Sequence, residues 1–219
     1  MIDRTLLETI EFFRGFEGAP LDAVIAAATE REFNRGGVVF SEDETATELF
    51  VVTSGRVAIA NRSVDGRESV VALMERGDLF GEMPLFDNHD RSAEARALEP
   101  STVITIPYAP LRAIYESQPE LLWNVVEMLA MRLRATDSQL ADSVFLDVTG
   151  RTAKRLLELA GAADEFSLPI TQEELAGMVG ASRERVNKAI ASFVRLGWIE
   201  QSERRYRITN RDQLELRAR

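Results

Sequence analysis

Residues 171–190 read TQEELAGMVGASRERVNKAI, and this stretch decides the fold of the last third of the chain. Thr171 precedes Glu174 by three residues, the spacing of a capping box, so a helix is predicted to begin here and to end near Gly180. Ser182 is a suitable N-cap for a second helix. Two short helices separated by the residues VGA predict a helix–turn–helix unit.

The first turn of the second helix carries side chains suited to base recognition. In DNA-binding units of this kind, that turn lies in the major groove against the base edges. An arginine matches the O6 and N7 acceptors of guanine, and a glutamate can accept from the N4 amine of cytosine. Hydroxyl and amide groups at the start of the first helix can donate to phosphate. The predicted DNA-binding residues are Thr171, Gln172, Ser182, Arg183, Glu184, Arg185 and Lys188.

A solvated helix face of mixed charge is the alternative explanation for these residues. Glu184 argues against it, because a carboxylate close to phosphates is unfavourable unless it contacts a base. The segment that follows adds Arg204, Arg205 and Arg207, and such a basic cluster is typical of a nucleic-acid surface.

The segments on either side complete a domain. DVTGRTAKRLLELAG, residues 147–161, has the spacing of a helix, and WIEQSERRYRITN, residues 198–210, alternates in the manner of a β-hairpin. Residues 147–219 are therefore predicted to form a winged helix–turn–helix domain.

A long helix is predicted before this domain, over residues 110–146. Its apolar positions approximate a heptad repeat that is interrupted at Thr136 and Asp137. The row of apolar side chains along so long a helix exceeds what a small neighbouring domain can cover. Because a second copy of the chain is the simplest partner for these side chains, a homodimer is expected. The apolar positions are residues 122, 125 or 126, 129, 133, 140 and 144.

The first part of the chain, residues 1–109, is predicted to form a β-barrel domain. Residues 3–30 carry helical apolar spacing, and residues 31–107 change to short period-two runs separated by turn residues. Many short strands at this spacing indicate a small antiparallel barrel or sandwich of the jelly-roll kind. The chain is thus expected to be α+β, with a barrel, a dimerisation helix and a winged helix–turn–helix domain.

Composition and charge limit the classes of function. The 219 residues include no cysteine, which excludes disulfides, cysteine-ligated zinc and iron–sulfur clusters. Acidic and basic residues number 25 and 13 in residues 1–146 but 11 and 13 in residues 147–219, so the net charge of −10 belongs to the first part. The N-terminus lacks the features of a secretory signal and no run is apolar enough to span a membrane, so a cytoplasmic protein without a membrane partner is expected.

A second chemistry-bearing stretch, LFGEMPLFDNHDRSAEA at residues 79–95, lies between strand-like segments. It places a carboxylate, a guanidinium and a hydroxyl, those of Glu82, Arg91 and Ser92, around one short loop. Taken alone, the pattern also fits a simple ion pair between Glu82 and Arg91.

Three motifs, in this order, resemble those of the CRP/FNR family of bacterial transcription regulators. FGE…LF…RSA within residues 80–93 looks like the family's phosphate-binding cassette, FLDVTGR at 145–151 looks like its hinge, and the stretch quoted first is similar to its DNA-reading unit. The resemblance implies a dimer that responds to a cyclic nucleotide, binds a palindromic operator of the TGTGA-N6-TCACA type and works with RNA polymerase. It assigns base contacts to Arg183, Glu184 and Lys188.

The resemblance also assigns roles within the cassette. A cyclic nucleotide needs a bidentate cation for its phosphate and an acceptor for its ribose 2′-OH. Arg91 would bind the phosphate, Ser92 would donate a hydrogen bond, and Glu82 would accept from the ribose, while Gly81 lets the backbone approach closely. The candidate nucleotide site comprises Val71, Ala72, Gly81, Glu82, Met83, Arg91, Ser92, Ala93, Arg132, Thr136 and Asp137.

The sequence leaves the choice of base open. In the cyclic-AMP-binding members of the family, a Thr followed by Ser or Asn on the long helix meets the adenine amino group, the second residue coming from the partner subunit. This chain has Thr136 followed by Asp137. A carboxylate can accept from adenine, but it would equally suit the adjacent N–H donors of guanine. The effector is expected to be cAMP first, with cGMP possible. Arg132 resembles a family arginine that reaches the pocket and the cassette glutamate.

Other functions have less support in the sequence. A regulator that binds DNA without ligand would keep the same fold, but such family members usually lose the cassette Arg or Glu, and this chain keeps both. A phosphodiesterase needs a metal cluster or a base–nucleophile arrangement, which one histidine and no cysteine do not provide. His89 lies in the loop DNHD without an evident second ligand, so no heme or other metal is expected. No catalytic residue is assigned.

Overall fold

The structure, a computed structural model, describes residues 2–62, 68–168, 170–203 and 205–219. The described residues divide into two compact units, whose boundary in the sequence lies between residues 134 and 135. The first unit comprises the residues up to 134 except 68–69, and the second comprises 68–69 and the residues from 135 onwards.

Two antiparallel four-stranded sheets form the barrel of the first unit. Its strands are β1 Thr29–Phe33, β2 Val38–Phe40, β3 Glu48–Ser54, β4 Val57–Arg62, β5 Glu68–Met74, β6 Leu79–Phe80, β7 Glu94–Ala97 and β8 Ser101–Pro107. One sheet has the order β1-β8-β3-β6 and the other the order β2-β7-β4-β5. The α+β class and the antiparallel barrel predicted from the short strands are confirmed.

Helices pack against one sheet of this barrel from outside. They include α1 Arg4–Glu8, α2 Ala19–Ala27, α3 Met83–Asp87 and α4 Tyr108–Ser117, together with the start of α5 Leu122–Phe145. In β3, Leu49 and Val51 face this helical layer, while Phe50 and Val52 join the core between the sheets. Burial on both faces explains why β3 reads as a continuous apolar run.

Helix boundaries in the first unit differ from those that the spacing predicted. The segment 3–30 is not helical to its end, because α2 ends at Ala27 and β1 occupies 29–33. That strand lies at a sheet edge and is mostly exposed, so it lacks the apolar alternation that marks a strand. The segment predicted as one helix over 110–146 begins at Tyr108 and is interrupted at Gln118, because Pro119 disfavours a helical residue before it.

The long helix α5 sorts its apolar residues into two sets. Val125 and Met128 are buried in the core of the first unit, whereas Val126, the alternative at this heptad position, is 51% exposed. We call the exposed set at near-heptad spacing the α5 stripe. It consists of Val126, Leu129, Leu133, Leu140 and Val144. None of the helices in the described ranges is both long and apolar enough to cross a membrane.

The second unit is a helical domain with a small sheet. After the end of α5 its elements are α6 Val148–Ala160, β9 Glu165–Ser167, α7 Gln172–Val179, α8 Arg183–Arg195, β10 Ile199–Ser202, β11 Arg205–Ile208 and α9 Arg211–Arg217. The sheet order is β10-β11-β9, so the predicted hairpin gains a third strand. The sequence interpretation missed β9 and α9, because a three-residue strand and a seven-residue helix with one buried side chain, Leu214, give little periodic signal.

Candidate functional site

The loop between β6 and α3 begins with a glycine in a conformation that other residues rarely adopt. Gly81 has φ +77°, and a Cβ at this position would come within 2.7 Å of Nη1 of Arg91. Glu82 follows, and Pro84 occupies the first turn of α3, where its missing N–H costs nothing. The backbone here therefore brings the Gly81 carbonyl and the Arg91 guanidinium together.

Arg91 is buried, with 4% of its surface exposed. Its Nη1 donates to the Gly81 carbonyl at 2.8 Å and to the Tyr108 hydroxyl at 3.1 Å, and its Nη2 donates to the Glu48 carbonyl at 2.7 Å. The guanidinium carbon lies 4.1 Å from the ring centroid of Phe40, within cation–π range. Nε is buried and has no hydrogen-bond partner in the described part of the chain.

Glu82 is also buried, and its partner is Arg132 on α5. Nη1 of Arg132 donates to Oε1 of Glu82 at 2.6 Å, and Nη2 donates to the Leu79 carbonyl. Glu82 is 2% exposed, so its carboxylate is held where water scarcely reaches. Among the described residues, Glu82 and Arg91 therefore do not form the simple ion pair with each other that the sequence left open.

The remaining candidates for the nucleotide site differ in exposure. Ser92 is exposed, and its hydroxyl lies 3.9 Å from the sulfur of Met83, which is itself half exposed, while Ala93 is buried. Val71 is exposed on β5 and its neighbour Ala72 is partly so. The described contacts unite Gly81 with Arg91 and Glu82 with Arg132. Thr136 and Asp137 are exposed on α5 and belong to the second unit.

Tyr108 is the residue of this cluster that the sequence interpretation missed. It begins α4, and its hydroxyl donates to the Gly81 carbonyl at 2.5 Å while accepting from Arg91. Burial raises the pKa of its phenol to about 12, with the nearby Arg91 charge opposing the rise. A tyrosine after a strand is an ordinary core residue, so its spacing carried no signal of this contact.

His89 lies in the loop after α3, where the sequence placed it. Its side chain is 82% exposed and stands beside Asp87, whose carbonyl oxygen is 3.0 Å from Nδ1. No group of three or more metal-ligating side chains occurs within the described ranges.

The helix–turn–helix in the second unit begins with the predicted capping box. The Thr171 hydroxyl accepts from the Glu174 N–H at 3.2 Å, and the Glu174 carboxylate accepts from the Thr171 N–H at 2.6 Å. Gly180 ends α7 in the left-handed conformation, at φ +67°. Ser182 caps α8 by accepting from the Arg185 N–H at 3.4 Å.

The first turns of α8 present charged side chains to solvent. Arg183, Glu184, Arg185 and Lys188 are all exposed, whereas Val186 and Ala189 face the core of the unit. Lys188 pairs with Glu184 at 2.7 Å, and the hydrogen bond from this ammonium lowers the pKa of the carboxyl below its ordinary value. The helix therefore presents cationic and anionic groups side by side on its exposed face.

The hairpin that follows adds further basic groups. Arg205 is exposed on β11, and Arg207 lies 3.4 Å from the Glu165 carboxylate and 3.8 Å from that of Glu200. Tyr206, between them, is buried and accepts hydrogen bonds from the side chains of Gln172 and Gln201. The predicted wing residue Arg204 lies outside the described residues.

Comparison with known proteins supports both halves of this description. A family model of the cyclic nucleotide-binding domain matches residues 30–118, and one of the Crp-like helix-turn-helix domain matches residues 150–217. The CRP-like cAMP-activated global transcriptional regulator of Mycobacterium tuberculosis is 37% identical over 221 residues, which cover 98% of this chain and 99% of that protein. The chain belongs to the CRP/FNR family.

A further relative and one solved structure agree with this assignment, and a second solved structure shares the fold. The cAMP-activated global transcriptional regulator Vfr of Pseudomonas aeruginosa is 33% identical over 189 residues, 82% of this chain and 88% of Vfr. The catabolite activator protein of Thermus thermophilus is 28% identical with a TM-score of 0.54, covering 95% of this chain and 98% of that one. FixK2 of Bradyrhizobium japonicum is 23% identical with a TM-score of 0.78, covering 86% of this chain and 96% of that one. This likeness supports the fold.

These matches confirm the family predicted from the motifs and identify the chain as a DNA-binding transcription regulator. The matched relatives are regulators, not enzymes, so the prediction that this CRP/FNR protein is not an enzyme is confirmed as well.

Proposed function

We propose that this CRP/FNR chain is a homodimeric regulator whose barrel binds a cyclic nucleotide, cAMP first, and whose helix–turn–helix units bind a palindromic operator. The observation that carries the proposal is Arg91, a buried cation whose described contacts are all with uncharged groups. A buried charge is costly until an opposite charge reaches it, so this guanidinium favours an anion. The relatives from M. tuberculosis and P. aeruginosa are both named cAMP-activated, which supports cAMP as that anion.

Within the cassette, each polar group has a proposed partner on the ligand. The guanidinium of Arg91 takes the phosphate, to which the exposed Ser92 adds a hydroxyl. The carboxylate of Glu82, fixed by Arg132, accepts from the ribose 2′-OH. Val71, Ala72, Met83 and Ala93 would surround these groups.

The base is assigned to Thr136 and Asp137 on α5. Adenine offers an amino group to the Asp137 carboxylate, and guanine offers two adjacent N–H donors, so cGMP is the alternative effector. Asp137→Ser removes the charge and keeps a hydroxyl. We expect this variant to weaken any preference for cGMP over cAMP, and parallel titrations of both nucleotides measure the ratio directly.

The test of nucleotide binding is calorimetric titration of the purified protein with cAMP and with cGMP. Arg91→Leu should abolish binding and leave basal DNA affinity unchanged, because Arg91 belongs to the first unit. The matched control is Arg14→Leu, which removes an exposed arginine that pairs with Glu127. Full nucleotide affinity in Arg91→Leu would count against the cassette assignment.

Operator recognition is proposed to use both subunits of a dimer. The two α8 helices would enter successive major grooves, whose centres lie about 34 Å apart. A site of the TGTGA-N6-TCACA type is the operator to test, with Arg183, Glu184 and Lys188 against the bases and Thr171, Gln172, Ser182 and Arg185 near the phosphates. We expect the two DNA-binding units of the dimer to exist in two relative arrangements. The ligand can shift the equilibrium between these arrangements only if it binds one of them more tightly than the other. RNA polymerase is the proposed further partner at a promoter.

A second candidate is a regulator that binds DNA without ligand. It is favoured by the same arginine, because both terminal nitrogens of Arg91 already donate to protein acceptors. Tight operator binding together with no heat on titration of cAMP or cGMP would establish this alternative.

A further inference from the structure

We propose that Tyr108 is a positioning residue for the nucleotide site: its hydroxyl ties the guanidinium of Arg91 to the Gly81 carbonyl and so fixes the edge of the guanidinium that meets the phosphate. The inference rests on the proposed function and concerns a residue outside the cassette motif. Tyr108 begins α4, seventeen residues after Arg91.

The three groups form a directed chain of hydrogen bonds. Nη1 of Arg91 donates to the Tyr108 oxygen at 3.1 Å, and the Tyr108 hydroxyl donates to the Gly81 carbonyl at 2.5 Å. The same carbonyl also accepts from Nη1 directly, at 2.8 Å. Nη1 thus donates two hydrogen bonds and Nη2 donates one, to the Glu48 carbonyl. Together these bonds restrict rotation of the guanidinium.

The donors that remain are those an anion needs. A guanidinium has five N–H groups, and the described bonds use three of them. The Nε hydrogen and one Nη2 hydrogen are left, and Nε is buried without an acceptor. No carboxylate in the described part of the chain pairs with Arg91, so a phosphate that reached these donors would both satisfy them and neutralise the charge.

The hydroxyl can fill this role only while it keeps its proton. A phenol is neutral at physiological pH even at its ordinary pKa of about 10, and burial raises the pKa of Tyr108 further, to about 12. The hydroxyl can therefore donate to Gly81 while accepting from Arg91. The backbone N–H of Tyr108 donates to the Thr47 carbonyl at 2.9 Å, which fixes the start of α4 beside the cassette.

A purely structural tyrosine is the competing explanation, since the side chain is only 5% exposed and belongs to the helical core. Tyr108→Phe separates the two, because it removes the hydroxyl and keeps the ring. Tyr115→Phe is the matched control: Tyr115 is equally buried, and its hydroxyl contacts the Phe12 carbonyl at 3.5 Å, among aromatic rings.

The experiment measures cAMP affinity and melting temperature for wild type, Tyr108→Phe, Tyr115→Phe, Arg91→Lys and Tyr108→Phe/Arg91→Lys. We expect Tyr108→Phe to lower affinity about tenfold, the size of one hydrogen bond to a charged group, with Tyr115→Phe unchanged. In the Arg91→Lys background the same substitution should have little further effect, because Tyr108 acts through Arg91. Unchanged affinity in Tyr108→Phe, or equal losses in both backgrounds, would overturn the inference.

A second measurement does not depend on nucleotide. In ¹⁵N-labelled protein without ligand, the Nε–H signal of Arg91, assigned by its loss in Arg91→Lys, should exchange slowly with water in wild type and in Tyr115→Phe. Tyr108→Phe should accelerate this exchange at least several-fold, and equal exchange would overturn the positioning role. If wild type bound neither cAMP nor cGMP, the proposed function would fail, while the exchange rate would still decide whether Tyr108 holds Arg91.

Discussion

At the scale of single residues, Gly81 is the position where backbone and site depend most directly on each other. Its φ of +77° strains any residue with a Cβ, at a cost of order 1–3 kcal/mol, and that Cβ would also press on Nη1 of Arg91. We expect Gly81→Ala to lower both the free energy of unfolding and, by at least tenfold, cAMP affinity. Chemical denaturation and calorimetric titration measure the two effects.

The control for this prediction is Gly36→Ala. Gly36 has nearly the same φ, +80°, but a Cβ there would meet nothing within 4 Å. The Gly36→Ala variant should therefore lose stability through backbone strain alone and keep the nucleotide affinity of wild type. If Gly81→Ala bound cAMP as wild type does, the close approach to Arg91 would not matter for binding.

Glu184 carries the second prediction at this scale. Glu184→Ala removes the acceptor proposed to read cytosine and releases Lys188 from its 2.7 Å ion pair. We expect the preference at one base pair of each operator half-site to relax by about 1–3 kcal/mol, measured by DNA binding to a panel of substituted operators. Glu158→Ala, which removes an exposed carboxylate paired with Arg155 on α6, should leave the preference intact. An unchanged preference in Glu184→Ala would mean that another residue reads this position.

The residue types of the cassette could be predicted from local spacing, but the partner of Glu82 could not. Arg132 lies fifty residues away in the sequence, and only the resemblance to the family pointed to its contact with Glu82, which the structure contains. Tyr108 had no such pointer and was missed. Contacts between distant segments depend on the packing of α4 and α5 against the barrel, which no local spacing records.

At the scale of elements, α6 and α9 are joined at the start of α6. Asp147 caps α6 by accepting from the Gly150 N–H at 2.8 Å, and Arg217 of α9 forms an ion pair with the same carboxylate. These contacts, the Gly150 hydrogen bond foremost, lower the pKa of Asp147 below its ordinary value. The capping and pairing therefore stabilise the folded state above the unfolded-state pKa, and this contribution is lost as the pH falls through the lower folded-state pKa.

The corresponding prediction concerns Asp147→Asn. Asparagine still caps a helix, so the loss of stability at pH 7 should stay below about 1 kcal/mol, particularly as the Asp147 side chain is 62% exposed and its ion pair is screened. Between pH 5 and pH 3 the variant should lose less stability than wild type, because its cap cannot be protonated. Thermal unfolding across this pH range measures the difference. Ser182→Ala, which removes an uncharged cap on α8, is the control and should lower stability equally at all these pH values. If the stability of Asp147→Asn fell with pH as that of wild type does, the prediction would be contradicted.

Elements with a strong local pattern were predicted well, and those without one were not. The capping box at Thr171 and the Ser182 cap locate α7 and α8 because the capping side chains lie within three residues of the groups they bind. In contrast, β1 is an exposed edge strand held by pairing with β8, and β9 is held by pairing with β11. Their conformation comes from a partner strand far along the chain, so their own residues carry little trace of it.

At the scale of the whole molecule, the excess of acidic residues and the proposed DNA-binding residues lie in different parts of the chain. The excess of acidic residues lies before residue 147, and the proposed DNA-binding residues lie after it, so the first part should be repelled from DNA while the second contacts it.

The α5 stripe belongs to neither core. Its five apolar side chains are exposed in a single chain, and burying them requires a partner. A second α5 helix offers the same near-heptad spacing, and this spacing supports a homodimer.

The dimer prediction can be tested by placing a charge inside or outside the stripe. Leu140→Asp puts a carboxylate at a stripe position that is 64% exposed in the single chain, whereas Met131→Asp puts one on the same helix about 180° from Leu140, at a position that is 56% exposed. Because desolvating an unpaired charge costs several kcal/mol, we expect Leu140→Asp to be largely monomeric by analytical ultracentrifugation and Met131→Asp to remain a dimer. Loss of the dimer should also weaken operator binding by more than tenfold, since each monomer can contact only one half-site. If both variants sedimented alike, the stripe would not be the dimer contact.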